Sequence, residues 1–260
     1  MDFGLEGSAA IVGGSSSGMG RAIAARLASE GCFVTLFARR ADVLQEAVDQ
    51  INSDCGEDRA VAVAGDSMDP VALAQAVEAT QARFGRLDIV VNNTGGPPAG
   101  DFAAFADEAW QDAFELTFMS SVRLTRLALP ALRESGRGRI VNVTSSTVKE
   151  IADGLLLANA IRPAVIGWAK HLSREEGPNG VTVNSIAPGY VDTDRLKYLY
   201  SLESDPETAR ARDAAQIPAR RFGDPDDIAN VVAFLCSLQA AYINGVTLLV
   251  DGGLARGVLS

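Results

Sequence analysis

The chain has 260 residues, 47% of them hydrophobic, and its 33 acidic against 23 basic side chains give a formal net charge of −10. That length can bury one substantial core, so a single α/β domain over 1–260 is expected. The acidic balance excludes a nucleic-acid binder, which needs concentrated Lys and Arg, and no apolar run approaches the roughly 18 to 20 residues that span a bilayer.

In chain order, short apolar runs rich in β-formers alternate with longer amphipathic segments. AAIVGG precedes a helix from Arg21 to Glu30, and FVTLFA precedes one from Asp42. AVAVAG leads into a helix from Pro70 to Phe84, and LDIVVNN into a long helix from Glu108 to Leu132. RIVNVTS is followed by a helix from Ala158 to Glu176, VTVNSIAP by an insertion over 192–223, and a helix from Pro225 to Leu238 precedes VTLLVDGG. Strands that are apolar throughout belong in a parallel sheet covered on both faces. The expected fold is therefore a doubly wound α/β sheet of seven parallel strands. The insertion, with Asp, Arg, Ala and two tyrosines, is expected to be a helical lid, because ligands of open α/β sheets bind beyond the carboxyl ends of the strands.

The first strand runs straight into Gly13-Gly14-Ser15-Ser16-Ser17-Gly18-Met19-Gly20 and then a helix. Glycines allow a tight turn and close backbone approach, and a helix N-terminus offers free N–H groups to a pyrophosphate. The second strand ends in Arg39-Arg40, with no acid to accept bonds from a ribose 2′-hydroxyl. A guanidinium there suits a 2′-phosphate, so NADP(H) is favoured over NAD(H), unless these arginines only form a solvated helix entry. Cys32, Cys55 and Cys236 are scattered, so neither disulfides nor a zinc site is expected, and no Asp/Glu/His cluster has metal-ligand spacing. The opening residues lack the basic and apolar segments of a signal peptide, and a cytoplasmic protein is expected.

The spacing Gly14, Gly18, Gly20 resembles the fingerprint of the short-chain dehydrogenase/reductase family, and further landmarks follow in order. Asp66 stands where that family places an acid near adenine, with Ser67 beside it. Asn92-Asn93-Thr94-Gly95 resembles its N-N-A-G signature, giving Asn93 and Gly95 as cofactor contacts. Pro188-Gly189 follows the sixth strand, Val191 and Thr193 fall at the nicotinamide contact, and Val250-Asp251-Gly252-Gly253 resembles the usual carboxy-terminal segment. The resemblance implies a Rossmann-type dinucleotide enzyme, similar to 3-oxoacyl-carrier-protein reductases. It also implies a homotetramer or homodimer built through the two long helices.

The family's catalytic Asn, Ser, Tyr and Lys are only partly matched. Ser145 falls at the serine, and thirteen residues on the tyrosine position holds Ala158. Four further on the lysine position holds Arg162, and Thr117 replaces the asparagine. Arg162 can hold ribose hydroxyls but, with an ordinary pKa above about 12, cannot exchange a proton at neutral pH. Lys149, four residues after Ser145, either reaches the substrate or faces water. Tyr190, Tyr198 and Tyr200 offer either a phenol or an aromatic wall, with Tyr190 and Tyr198 taken as substrate contacts. Asn159 either meets substrate or braces a helix turn, and His171 reads as structural. The function expected is hydride transfer between NADP(H) and a small carbonyl or alcohol. Its rivals are a dinucleotide-binding sensor or partner subunit, and a non-redox enzyme on the same scaffold.

Overall fold

The computed structural model describes residues 2–257, so Met1 and 258–260 of the expected domain lie outside the described residues. Seven parallel strands form one sheet in the order β3-β2-β1-β4-β5-β6-β7. They are β1 (Ala9–Gly13), β2 (Phe33–Ala38), β3 (Ala60–Ala64), β4 (Ile89–Asn92), β5 (Arg139–Val143), β6 (Thr182–Pro188) and β7 (Thr247–Val250). The central strands β1, β4, β5 and β6 are buried along their whole length, whereas the edge strands β3 and β7 are partly exposed. Continuous apolar runs therefore mark the middle of the sheet and lose force at its edges.

Nine α-helices connect the strands among the described residues: α1 (Gly18–Ser29), α2 (Ala41–Cys55), α3 (Pro70–Phe84), α4 (Asp107–Phe114), α5 (Ser120–Glu134), α6 (Leu156–Glu176), α7 (Asp194–Tyr200), α8 (Pro206–Gln216) and α9 (Pro225–Cys236). One face of the sheet buries Ile23, Leu27, Leu44, Ile228 and Val232 from α1, α2 and α9. The other buries Leu73, Leu124, Leu132 and Ala169 from α3, α5 and α6. Each of these larger side chains, once fully buried, is worth about 1.5–3 kcal/mol of transfer free energy.

Several boundaries differ from the periodicity, three of them near the site. The helix expected from Arg21 begins at Gly18, itself at φ +55°, with Ser17 as the N-cap. The long helix expected over 108–132 is broken into α4 and α5 by a π-turn at Glu115–Met119. The helix expected from Ala158 begins at Leu156. The insertion forms α7 and α8, whose Leu196, Tyr200 and Ala209 make a small core of their own with Tyr190 and Phe222.

Candidate active site

The strand order reverses between β1 and β4, and in such sheets ligands bind at the carboxyl ends flanking that switch point. The turn after β1 and the turn after β4 are locked together there. Asn93 donates from Nδ2 to the Gly13 carbonyl at 3.0 Å. Gly14 has φ +58°, and a Cβ on it would lie 2.8 Å from Asn93 Nδ2. A Cβ on Gly20 would overlap the Gly14 carbonyl oxygen, so only glycine lets α1 start this close to the strand. Ser15 Oγ donates to the Val12 carbonyl at 2.8 Å and accepts from the Phe37 N–H at 2.9 Å, tying the turn to the end of β2. Sequence reasoning gave Ser15 no role, and its complete burial is the signal of a structural one.

Among the described residues no side chain caps the N-terminus of α1. Ser17 makes no side-chain cap and the first turn carries no acid, so the free N–H groups and the positive end of the helix dipole remain for an anion. These residues fit a dinucleotide pyrophosphate. A narrow cavity lined by Gly13, Phe37, Ser67, Asn93, Thr94 and Ser121 runs beside the turn. A second cavity, about 410 Å³, lies on the outer side of α1 among Gly18, Arg21, Thr193, Asp194, Lys197 and Pro225. None of the catalytic positions lines it, so the switch point is taken as the site. Arg39 and Arg40 are exposed at the end of β2, and neither forms an ion pair among the described residues. Asp66 lies two residues beyond β3 rather than at its end, and its carboxylate accepts from the Met68 N–H at 2.9 Å.

Beneath the site runs a ladder of buried amides that sequence reasoning missed. Asn92 donates to Asn142 Oδ1 at 2.8 Å and to Thr125 Oγ1 at 3.0 Å, and Asn184 on β6 donates to the Ile243 carbonyl at 2.8 Å. Its only signal was a polar residue inside each of three apolar strands.

At the end of β5, half-buried Ser145 caps a short turn that Lys149 closes, its Oγ accepting from the Thr147 N–H at 3.2 Å. Asn159 braces this region, pairing both amide atoms with the Ala152 backbone at 2.8 and 3.2 Å, which leaves it to the loop rather than to substrate. Ala158 is buried and offers no acid. The π-turn brings Thr117 inward against α6, buried and with its hydroxyl unpartnered among the described residues. Arg162 is 9% exposed, and its Nε has no partner among the described residues. Burial, with the nearby Arg195 cation, lowers its pKa to about 10, correcting the ordinary value expected for it while leaving it charged at neutral pH.

The lid enters over the glycine turn. Thr193 caps α7, accepting from the Leu196 N–H at 3.4 Å, and its methyl would meet a Cβ on Gly18 at 3.3 Å. Val191 is buried and bridged to Gly223, and Gly189 packs against Asp251, fixing the chain after Pro188. Tyr200 is not available as a phenol donor: its hydroxyl donates to Asp213 at 3.0 Å inside the lid, which with burial pushes its pKa up. Tyr190 packs edge-on against Phe222, and its burial also raises its pKa. Tyr198 is exposed, with the Arg195 guanidinium 5.5 Å from its ring centre. His171 is exposed on α6, its Nε2 3.7 Å from Glu175.

The enoyl-(acyl carrier protein) reductase family matches residues 14–255 of this chain. The 3-oxoacyl-[acyl-carrier-protein] reductase FabG of Vibrio cholerae is 38% identical, covering 96% of this chain and 98% of that protein. The chain belongs to the short-chain dehydrogenase/reductase family. The FabG of Escherichia coli is 37% identical over the same share of each chain. Among solved structures, L-sorbose reductase from Gluconobacter frateurii, complexed with NADPH and L-sorbose, is 34% identical. It superimposes with a TM-score of 0.94 over 99% of this chain and 100% of that one. Short-chain enzymes share this seven-stranded Rossmann-type sheet, and the chain is an oxidoreductase of that type acting on carbonyl or hydroxyl groups with a nicotinamide dinucleotide.

Proposed function

We propose that the protein transfers a hydride between NADP(H) and a small carbonyl or alcohol substrate with an altered catalytic set. The observation that carries this reading is the free N-terminus of α1 over a turn that tolerates only glycine, locked to Asn93, with Ser145 two strands away at the end of β5. A bound nicotinamide dinucleotide would supply or accept the hydride, and this chain's residues would hold it and orient the substrate. Gly14, Ser16, Ser17, Gly18, Met19 and Gly20 hold its pyrophosphate, and Arg39 and Arg40 its 2′-phosphate. Asp66, Ser67, Asn93 and Gly95 line the adenosine side; Pro188, Gly189, Val191 and Thr193 hold the nicotinamide end, with Thr117 behind α6.

Ser145 donates from Oγ to the substrate oxygen and orients it. Arg162, cationic and buried, steadies the ribose and the charge that develops on that oxygen. Ala158 removes the usual phenol, and a positioned acid contributes about 10² to 10⁴-fold. We assign proton delivery to Lys149, half-buried on the turn that Ser145 opens. Tyr190 and Tyr198 form the aromatic side of the substrate mouth. We further infer that 1–260 acts as one unit with 192–223 as its lid, in a cytoplasmic homo-oligomer. Three free thiols agree with a reducing compartment. The exposed Phe114 and Leu127 on α4 and α5 offer apolar surface to a second copy.

NADPH binding by fluorescence, followed by NADPH oxidation with ketones and 3-oxoacyl thioesters for wild type and Ser145→Ala, tests the reading. Ser145-dependent oxidation supports it. Tight binding with no turnover on any carbonyl favours the sensor reading, for which the missing phenol at Ala158 is the motive.

A further inference from the structure

Most arginines around the lid are neutralised. Arg210 pairs with Asp192 at 2.7 Å, Arg212 with Asp213 at 2.8 Å and Arg221 with Asp227 at 2.6 Å. Arg220, which is exposed, bonds the Ala215 carbonyl, and among the described residues Arg162 and Arg195 also lack an ion pair. Arg195, half-buried at the start of α7, spends one donor on the Pro97 carbonyl at 2.7 Å. Both guanidinium groups converge on Gly96. A point one Cβ bond from Gly96 lies 3.6 Å from Arg195 Nε, 3.7 Å from Arg195 Nη2 and 3.8 Å from Arg162 Nη2. Neither guanidinium is in an ion pair among the described residues, although the chain carries an excess of acids. Among the described residues the charged group that bears on Arg162 is Arg195, and its effect is repulsive.

Two adjacent cations, one of them nine-tenths buried with an unpartnered Nε, are costly unless an anion joins them. Neutral ribose hydroxyls can occupy some of Arg162's five donors but cannot offset either charge. The cofactor's pyrophosphate has its own place at the N-terminus of α1, across the switch point. Two planar forks converging on one small-residue loop match a carboxylate bidentately.

We propose that Arg195, with Arg162, forms a carboxylate subsite against Gly96, so that the physiological substrate is an oxo acid or hydroxy acid rather than a neutral carbonyl compound. This rests on the reductase reading above, which supplies the hydride to the carbonyl carbon while a proton goes to the carbonyl oxygen. Arg195 had no signal in the sequence, because it lies in the insertion outside any motif.

The test uses acetoacetate and its neutral methyl ester with the NADPH complex of the wild type, Arg195→Gln, Arg195→Lys and the exposed control Arg174→Gln. The wild type and the control are expected to favour acetoacetate in kcat/KM by roughly 10- to 100-fold, the worth of a charge-assisted pair. Arg195→Gln collapses that ratio towards 1, and Arg195→Lys restores part of it. Calorimetry of acetoacetate binding to the NADPH complex follows the same order. A wild type without preference for the acid overturns the proposal. So does an Arg195→Gln variant that weakens NADPH and both substrates alike, which would assign the pair to cofactor phosphate. If acetoacetate binds in an Arg195-dependent way but neither compound is reduced, the subsite stands and the reductase reading fails.

Discussion

Replacing Gly20 by Ala puts two effects of opposite sign on one atom. Gly20 lies in the first turn of α1, where alanine is intrinsically favoured over glycine by about 1 kcal/mol. Against this, the new Cβ would overlap the Gly14 carbonyl oxygen and lie 2.7 Å from the Gly14 carbonyl carbon and 2.8 Å from Asn93 Nδ2. Those neighbours are backbone and a hydrogen-bonded amide, which cannot swing aside, so the overpacking cost of about 1–3 kcal/mol applies and the net loss of stability is about 0–2 kcal/mol. The larger effect falls on binding. Relief of the overlap moves the turn away from the helix N-terminus, and each charge-assisted bond lost to a phosphate is worth about 1.5–3 kcal/mol, so the Kd for NADPH should rise roughly 10- to 150-fold. Urea denaturation reads the first quantity and NADPH fluorescence titration the second. A variant that is about 1 kcal/mol more stable with an unchanged Kd would refute the packing described for the turn.

Ser145→Ala should lower kcat about 10²- to 10³-fold while NADPH still binds, read by steady-state kinetics beside a fluorescence titration. Arg133 holds Glu176 with two bonds of 2.8 and 2.5 Å, joining α5 to the end of α6 and holding that carboxyl below its ordinary pKa. A depressed carboxyl pKa gives stability that is full above the unfolded value and is lost as pH falls through the folded one. Arg133→Gln should therefore lower the urea midpoint at neutral pH, and the midpoints of variant and wild type should converge in acid. If Leu127, 38% exposed on α5, lies between copies, light scattering should show a smaller assembly for Leu127→Glu than for the wild type.

The glycine turn was legible because its steric demand leaves few residues and its strand-turn-helix setting leaves few meanings. Its counterpart at Asn93 was legible only through resemblance, since a buried asparagine has no propensity signature of its own. The π-turn at Glu115–Met119 was hidden, because one extra residue per turn barely disturbs the apolar pattern running through 108–132. Tyr200 was left open between phenol and aromatic wall for a related reason: sequence located it in the insertion but could not show that Asp213, thirteen positions away, would claim its hydroxyl. Arg195 was silent because its meaning comes from Gly96 and Arg162, which are far apart in the chain and adjacent in space.

Arg39 and Arg40, exposed after β2, are proposed to meet the 2′-phosphate of NADP(H). Fluorescence titration of the wild type with NADPH and with NADH tests it most directly. NADPH is expected to bind more tightly than NADH by at least about tenfold, the worth of one charge-assisted contact. Equal affinity, or binding of neither dinucleotide, would contradict it.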